Sequence, residues 1–334
     1  MIIPVNTKNG KYDIVLERGA LDRAEKYLDL NRKVLIVTDD GVPSEYAQKI
    51  AKKCKMPVKA CLKQGEGSKS VDNYLALLKV MLENSFTRKD CVVAVGGGVI
   101  GDLAGFVASS YMRGVDFYNL PTTFLSQVDS SIGGKVAIDY NGYKNVVGAF
   151  YQPKKVLIDS ETLNSLPDRQ VSAGLAESIK MATTFDKALF EFIENCELNK
   201  QNIDEIIKRS LLIKRKVVKK DVYEKHLRKV LNFGHTIGHA IESKYLGKLL
   251  HGECVALGML CMCSIDVKLR LEKVLKKFNL PTKLEVDCDL TDLISHDKKA
   301  VTGGVSVVTV NQIGKFVIEK KDIDYIKQRI GEIK

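Results

Sequence analysis

Three of the chain's five histidines, His235, His239 and His251, lie in the short segment 231–253. His235 and His239 are four residues apart, so on a helix both rings would share one face. A catalytic zinc ion takes three protein ligands and keeps a fourth position open. The three imidazoles could supply these ligands, and so could two imidazoles with one carboxylate. The candidate carboxylates are Glu177, Glu242 and Glu253. The segment therefore predicts a metal site, with its ligand set still open at this point.

The spacing of His235 and His239 is also that of the zinc peptidases, whose motif is H-E-x-x-H. In those enzymes the glutamate directly after the first histidine is the general base. Here Thr236 stands at that position. A threonine cannot accept a proton as the carboxylate does, so the sequence argues against a peptidase.

A glycine-rich turn is the second group of residues that could do chemistry. The segment "VGGGVIGD", 95–102, places Gly96, Gly98 and Gly101 in a G-x-G-x-x-G register. It follows an apolar strand pattern and precedes a helical one. Glycine lets the backbone N–H groups of a helix N-terminus approach a pyrophosphate closely. The turn thus predicts nucleotide binding, and Asp39, at the end of an earlier strand, is the candidate acid for the ribose.

Composition limits the possible partners. The formal net charge is +11, but lysines are spread along the chain and the densest run is "KRKVVKK" at 214–220. Nucleic-acid binding would need a basic stripe with aromatic residues beside it, so we expect an anionic small-molecule substrate instead.

No apolar run of 18 residues exists, which predicts no membrane span. Eight cysteines without a C-x-x-C pair indicate reduced thiols and a cytoplasmic location.

The elements that must position these residues alternate in the first half of the chain. Apolar runs that are typical of strands are followed by segments with helical spacing of apolar residues. This βα alternation predicts a parallel sheet covered by helices on both faces. Strands are expected at 12–17, 33–40, 57–62, 90–98 and 115–121, and helices at 44–54, 70–84 and 99–111.

From about residue 160 the pattern becomes helical. One helix is expected to begin near Pro167, another covers 202–218, and a long apolar helix runs from 252 until Leu280-Pro281 breaks it. Two strand-like runs around Asn311 to Gly314 predict a hairpin. We therefore predict an α/β nucleotide-binding domain at 1–159 and a mostly helical metal- and substrate-binding domain at 160–334.

Six segments taken together resemble the 3-dehydroquinate synthase family. They are "GGGVIGDLAGFVAS", "PTTFLSQVDSSIGGKVAID", "KNVVGAFYQP", "GLAESIKMA", "LRKVLNFGHTIGHAIE" and "HGECVALGM". The resemblance runs from about residue 33 to 318. It implies conversion of 3-deoxy-D-arabino-heptulosonate 7-phosphate to 3-dehydroquinate and phosphate, a step of the shikimate pathway. It also implies NAD used catalytically, a divalent zinc or cobalt ion, and a homodimer.

The resemblance assigns roles to individual positions. The implied metal ligands are Glu177, His235 and His251, which moves His239 to the substrate side, near the phosphate. The implied NAD-binding positions are Asp39, Glu66, Lys69, Gly98, Val99, Ile100, Gly101, Asp102, Thr122, Thr123, Lys135, Lys144, Thr162 and Ser165. The implied substrate positions are Asp129, Lys135, Asn145, Lys180, Lys214, Arg228, Asn232, His239 and one of Lys298 and Lys299. Arg113 matches an arginine that reaches the neighbouring subunit's site.

Among the lysines, Lys135 and Lys180 are favoured because each is embedded in apolar or glycine-rich sequence. Two other functions remain open on the sequence. One is another sugar-phosphate cyclase, such as a 2-deoxy-scyllo-inosose synthase. The other is a metal-dependent polyol dehydrogenase, which would release NADH and not recycle it.

Overall fold

The computed structural model describes residues 1–8, 10–245, 247–284, 300–301 and 304–333. The chain divides into two compact units, Met1–Leu166 and Pro167–Lys334. The boundary predicted after residue 159 differs because the 3-10 segment Ser160–Ser165 belongs to the first unit. The substrate candidates Lys298 and Lys299 lie outside the described residues.

The first unit is built on a seven-stranded sheet with the order β1-β2-β9-β6-β5-β3-β4. All neighbouring strands run parallel except β1, which pairs antiparallel with β2. The strands are β1 (Ile2–Thr7), β2 (Gly10–Leu16), β3 (Lys33–Asp39), β4 (Met56–Leu62), β5 (Cys91–Gly96), β6 (Asp116–Pro121) and β9 (Lys155–Ile158). The predicted α/β class with a parallel sheet is confirmed, whereas β1 and β9 were not predicted.

The central strands explain why both faces of this sheet are covered. Successive side chains of a strand point to opposite faces. In β3, Val34 and Ile36 enter one apolar cluster, and Leu35 and Val37 enter a second one. Helix α1 (Ser44–Ala51) contributes to the first cluster. Helices α2 (Val71–Glu83) and α3 (Gly98–Ser110) contribute to the second.

A hairpin of β7 (Lys135–Tyr140) and β8 (Tyr143–Phe150) extends the first unit and was not predicted. Its two-residue turn is Asn141-Gly142, with φ of 50° and 80°. Positive φ at both positions is what a type I′ hairpin turn requires, and Asn-Gly is the favoured pair. The signal was therefore present in the sequence.

The second unit is mostly helical. Its helices are α4 (Asp168–Phe185), α5 (Lys187–Asn195), α6 (Lys200–Lys220), α7 (His235–Lys244), α8 (His251–Cys261), α9 (Ile265–Lys277) and a C-terminal helix (Ile323–Gly331). The predicted hairpin is confirmed as β11 (Gly304–Gln312) and β12 (Lys315–Lys321), with β10 (Ala300–Val301) beside β11. No helix in the described ranges has an apolar stretch that could cross a membrane.

The single long helix predicted from 252 to 280 is wrong, because the chain leaves helical geometry between α8 and α9. There Cys263 forms a bridge with Val310 of β11. Arg329 also donates from Nε to the Cys261 carbonyl at 2.7 Å and from Nη2 to the Cys263 carbonyl. These tertiary partners satisfy carbonyl groups that end α8.

Glycines allow three helices of the second unit to pack backbone to backbone. A Cβ at Gly252 of α8 would lie 1.8 Å from the Ala173 carbonyl oxygen of α4. A Cβ at Gly258 of α8 would lie 1.9 Å from the carbonyl oxygen of Gly234, the residue before α7. Helices α4, α7 and α8 therefore approach more closely than any residue with a side chain would permit.

We predict that Gly258→Ala lowers the free energy of unfolding by about 1–3 kcal/mol or more, because the added methyl group would meet backbone atoms that cannot move aside. Urea denaturation measures this. Gly331→Ala is the matched control, since a Cβ there meets nothing within 4 Å, and its effect should stay within about 0.5 kcal/mol. Equal midpoints for the two variants would contradict the packing argument.

Candidate metal and cofactor sites

The candidate metal ligands come from three helices of the second unit. Glu177 lies on α4 and is fully buried. His235 is the first residue of α7, and His251 is the first residue of α8. The close packing of these helices brings together residues from three separate parts of the chain.

The Oε1 atom of Glu177 faces both imidazoles. It lies 3.6 Å from Nε2 of His235 and 3.7 Å from Nε2 of His251. It is buried and makes no hydrogen bond within the described part of the chain. The other oxygen, Oε2, accepts a hydrogen bond from the buried ammonium of Lys180. A buried carboxylate oxygen without a partner is costly unless something binds it.

Each of the two imidazoles is anchored through its other nitrogen. Nδ1 of His235 donates to the backbone carbonyl of Phe233 at 3.2 Å. Nδ1 of His251 lies 2.9 Å from Oε2 of Glu242. A proton on Nδ1 leaves the lone pair on Nε2, the atom that faces Glu177. Two imidazole nitrogens and one carboxylate oxygen form a donor set found in catalytic zinc sites, so these residues fit a divalent metal.

The electrostatics of the three groups are consistent with this role. Burial alone would raise the pKa of Glu177, but the Lys180 ammonium and His251 outweigh burial and lower it to about 2. Burial, with the nearby Lys180 charge, holds the pKa of His235 well below its usual value, so this ring is neutral. Burial would also lower the pKa of His251, but the carboxylates of Glu177 and Glu242 raise it to about 9. Without an ion, His251 therefore carries a proton on Nε2 as well at neutral pH, and a metal bound there would take the place of that proton.

His239 also comes close, as the helical spacing predicts. One ligand atom from each of His235, His239 and His251 fits within 4.8 Å. His239 is exposed on α7, and its ring centroid is 5.2 Å from that of His235. Two ligand sets are thus geometrically possible, and they differ in whether Glu177 or His239 is the third ligand. The buried Oε1 of Glu177, which faces both other rings, favours Glu177.

The other two acidic candidates have different partners. Glu253 is buried and forms an ion pair with Arg169, at 2.7 Å between Oε1 and Nε. Its Oε2 accepts the backbone N–H of Leu250 at 2.8 Å, which caps the first turn of α8. Glu242 occupies the Nδ1 side of His251. Neither carboxylate therefore faces the Nε2 atoms.

Several predicted substrate residues bring buried positive charge to the second unit. Lys180, Lys214 and Arg228 are all almost fully buried. Arg228 lies on the 3-10 segment Leu227–Asn232, and its Nη1 donates to the Val222 carbonyl at 2.6 Å. Buried cations are rare unless they bind a partner or a ligand.

Asp221 organises the segment that carries Arg228, and the sequence reasoning missed it. Its carboxylate accepts the backbone N–H groups of Lys225, His226 and Arg228, at 3.0, 2.7 and 3.0 Å. Asn232, at the end of the same segment, donates its side-chain amide to Glu224. The position of Asp221, directly after α6 and its run of lysines, was the only available signal.

The glycine turn of the first unit forms the N-terminus of α3. A Cβ at Gly98 would lie 3.1 Å from the hydroxyl oxygen of Ser130. That hydroxyl is buried and makes no hydrogen bond to any described residue. The first N–H groups of a helix also lack intrahelical partners. A helix start without a side-chain cap, beside an unsatisfied hydroxyl, fits a phosphate group, and Ser130 is a residue that the sequence reasoning missed.

Charged NAD-binding candidates lie near this turn. Nζ of the buried Lys69 is 2.8 Å from Oδ2 of Asp102, on the first turns of α3, and 3.6 Å from Oε1 of Glu66. Asp39 ends β3 and accepts the backbone N–H of Gly41 at 2.9 Å. Burial raises the pKa of Asp39. Lys69 thus links the segment before α2 to the helix that begins at Gly98.

The remaining NAD candidates are in two groups. Thr122, Thr123, Thr162 and Ser165 lie after the carboxyl ends of β6 and β9. The backbone N–H of Thr122 donates to the Gly96 carbonyl at the end of β5, and the hydroxyl oxygens of Ser165 and Tyr46 are 2.9 Å apart. Val99, Ile100 and Gly101 lie in the first turn of α3. Parallel strands present their carboxyl ends at one edge, where ligands of such sheets bind.

The remaining candidates of the first unit, among them the NAD candidate Lys144, lie on the β7–β8 hairpin and on two short helical turns. Lys135, Lys144 and Asn145 are exposed on the β7–β8 hairpin. The apolar and glycine-rich sequence around Lys135 therefore does not bury its side chain. The neighbouring Val136 is the residue that points inward. Asp129 lies on the π-helical turn Ser126–Ser130, and Arg113 is exposed on Tyr111–Arg113 with a φ of 68°.

Models of the 3-dehydroquinate synthase N-terminal and C-terminal regions match residues 59–173 and 174–300 of this chain. The 3-dehydroquinate synthase of Desulforamulus reducens is 38% identical over 343 residues, which cover 95% of this chain and 96% of that protein.

Two solved structures are similar along nearly the whole chain. A 2-deoxy-scyllo-inosose synthase in complex with carbaglucose-6-phosphate, NAD+ and Co2+ has a TM-score of 0.89 at 26% identity and covers 100% of both chains. The 2-epi-5-epi-valiolone synthase of Streptomyces hygroscopicus subsp. jinggangensis 5008, with NAD+ and Zn2+ bound, has a TM-score of 0.89 at 25% identity and covers 98% of both chains.

We predict that His239→Asn keeps zinc affinity within a few-fold of the unchanged protein, because the geometry favours Glu177, His235 and His251 as the ligands. His251→Ala is the comparison variant and should lose zinc binding by orders of magnitude. Competition with a chromogenic chelator measures both. Loss of zinc in His239→Asn, with retention in a Glu177→Gln variant, would instead establish the three-histidine set.

Proposed function

The chain belongs to the 3-dehydroquinate synthase family, and we propose that it converts 3-deoxy-D-arabino-heptulosonate 7-phosphate to 3-dehydroquinate and phosphate. The single observation that carries the proposal is the buried Oε1 of Glu177, at 3.6 and 3.7 Å from the Nε2 atoms of His235 and His251. Similarity to named synthases along almost the whole chain supports the choice of substrate. The reaction is a step of the shikimate pathway.

We assign the metal centre to Glu177, His235 and His251, with zinc or cobalt as the ion. When bound, such an ion supplies Lewis acidity that makes a substrate hydroxyl easier to deprotonate. Lys180 holds the second oxygen of Glu177 and so fixes the orientation of the carboxylate. The carbonyl of Phe233 holds His235 in the tautomer with its lone pair on Nε2.

The phosphate of the substrate is assigned to the buried cations of the second unit. Lys214 and Arg228 supply positive charge, and Asn232 and His239 supply hydrogen bonds. Preorganised donors stabilise a departing phosphate dianion because they need no reorganisation as charge develops. The hydrogen bonds from backbone N–H groups to Asp221 keep the Arg228 segment in place during this step.

NAD is assigned to the first unit, where it supplies the hydride acceptor and is regenerated within each turnover. Gly98 gives the phosphates access to the start of α3, and Ser130 offers an unsatisfied hydroxyl beside it. Lys69 and Asp102 form an ion pair at the same helix. Asp39 is proposed to bind a ribose hydroxyl.

We also propose that two copies form a homodimer. Exposed apolar side chains on the β7–β8 hairpin, among them Tyr143, Val147 and Phe150, are typical of an interface. Arg113 lies beside the exposed Met112 and is assigned to the partner's site. A cytoplasmic location stays a prediction, supported by buried free thiols such as Cys91 and Cys254.

We predict that the protein, given the heptulosonate phosphate, zinc and an amount of NAD far smaller than that of the substrate, releases all of the inorganic phosphate. NADH should not accumulate. A phosphate assay and NADH absorbance follow both products. NADH in amounts equal to the substrate consumed would indicate a polyol dehydrogenase. Turnover of glucose 6-phosphate but not of the heptulosonate phosphate would indicate a 2-deoxy-scyllo-inosose synthase.

Two lysines of α6 provide a matched pair for the same assay. Lys214 is buried and Lys216 is exposed. Lys214→Met should slow phosphate release about 10²–10³-fold, as expected when one preorganised donor is removed. Lys216→Met should leave the rate within about twofold, because it removes only a solvated charge. Equal rates for the two variants would remove Lys214 from the phosphate site.

A further inference from the structure

His251 is held by a second carboxylate, which the assigned ligand set does not include. Its Nδ1 is 2.9 Å from Oε2 of Glu242, nine residues earlier in the chain. The opposite side of the ring directs Nε2 to Oε1 of Glu177 at 3.7 Å. His251 therefore lies between two carboxylates, one on the metal side and one behind the ring.

The two imidazoles of the centre are anchored by different chemistry. His235 uses a neutral backbone carbonyl, that of Phe233. His251 uses the carboxylate of Glu242. A carboxylate is the stronger acceptor, because hydrogen bonds to charged groups are roughly twice as strong as neutral ones. It also adds negative charge behind the ring, which makes Nε2 a better donor to a cation.

The position of Glu242 follows from the same helical spacing that brings the histidines together. Residues 235, 239 and 242 of α7 are at i, i+4 and i+7, so they lie along one face of the helix. The Glu242 side chain is only 19% exposed. Its partner His251 begins α8, where Glu253 caps the first turn and pairs with Arg169. Both ends of the Glu242–His251 contact are thus fixed.

We infer that Glu242 is a positioning residue of the metal centre, which fixes the Nδ1–H tautomer and the ring orientation of His251 so that Nε2 is presented to the ion. The inference rests on the proposed metal site. Glu242 does not contact the ion or the substrate in this arrangement. It acts through His251, so its removal changes how well one ligand binds and leaves the number of ligands intact.

Removal of the carboxylate has a defined expected size. Loss of such an outer partner typically weakens metal affinity about 10–100-fold. Glu242→Ala removes both the acceptor and the charge, and we expect this full range. Glu242→Gln keeps an acceptor for Nδ1–H but loses the charge, so its zinc affinity should fall between that of Glu242→Ala and that of the unchanged protein.

The experiment measures zinc affinity of the full chain by chelator competition and the visible absorption spectrum of the cobalt-loaded protein. Both variants should bind zinc more weakly in the stated order, and the cobalt spectrum of Glu242→Ala should shift because one ligand is reoriented. Glu191→Gln is the control, since the Glu191 side chain is 45% exposed and pairs with Lys187 at the surface of α5. It should change neither quantity.

Wild-type zinc affinity and an unchanged cobalt spectrum in the Glu242 variants would overturn the inference. If Glu242→Ala does not fold, Glu242→Met decides in its place, because it fills a similar volume without an acceptor for Nδ1–H, and unchanged affinity in it has the same meaning. Failure of the unchanged protein to bind zinc would instead contradict the proposed metal site, so the two failures are distinguishable.

Discussion

An ionised carboxylate buried inside a helical unit is the constraint on which the second unit depends. Glu177 is fully buried, and its two oxygens serve different partners. Lys180, one turn further along α4, takes Oε2, while Oε1 faces His235 and His251. Removing one partner of a buried ion pair costs about 3–5 kcal/mol. The Lys180 charge that makes burial of Glu177 possible also keeps the carboxylate ionised and His235 neutral.

The helices around Glu177 are packed so that this arrangement is possible. Gly252 lets α8 meet the backbone of α4, and Gly258 lets it meet the turn before His235. Glu253 and Arg169 then fix the start of α8, where His251 lies. The glycines and the polar contacts therefore act together. The glycines bring the helix backbones close to one another, and the polar contacts orient the imidazole rings of the candidate ligands.

The sequence predicted that the histidines lie close together, but it did not predict which acidic residue faces them. Helical spacing correctly placed His235 and His239 on one face, because that relation is local. The choice of acid depended on which carboxylate found another partner, and only tertiary structure decides that. Glu253 pairs with Arg169 and accepts a backbone N–H at the start of α8, and Glu242 contacts Nδ1 of His251. Local signals thus indicated a candidate site, but not its ligand set.

The strands and helices of the fold were largely predictable, but some of their ends and turns were not. Buried strands and amphipathic helices of the parallel sheet follow from periodicity. The hairpin turn Asn141-Gly142 had a clear local signal that was missed. The end of α8 had none, because the bridge from Cys263 to Val310 joins distant parts of the chain. The exposure of Lys135 likewise depends on the hairpin, because successive side chains of β7 point to opposite faces, so that Val136 is buried and Lys135 is exposed.

The most direct test of the account is a crystal structure of the protein grown with zinc, with the ion located by anomalous scattering at the zinc edge. The account predicts one ion bound to Oε1 of Glu177 and to Nε2 of both His235 and His251, at about 2.0–2.2 Å from each. An ion bound instead by His235, His239 and His251, with Glu177 held only by Lys180, would contradict it.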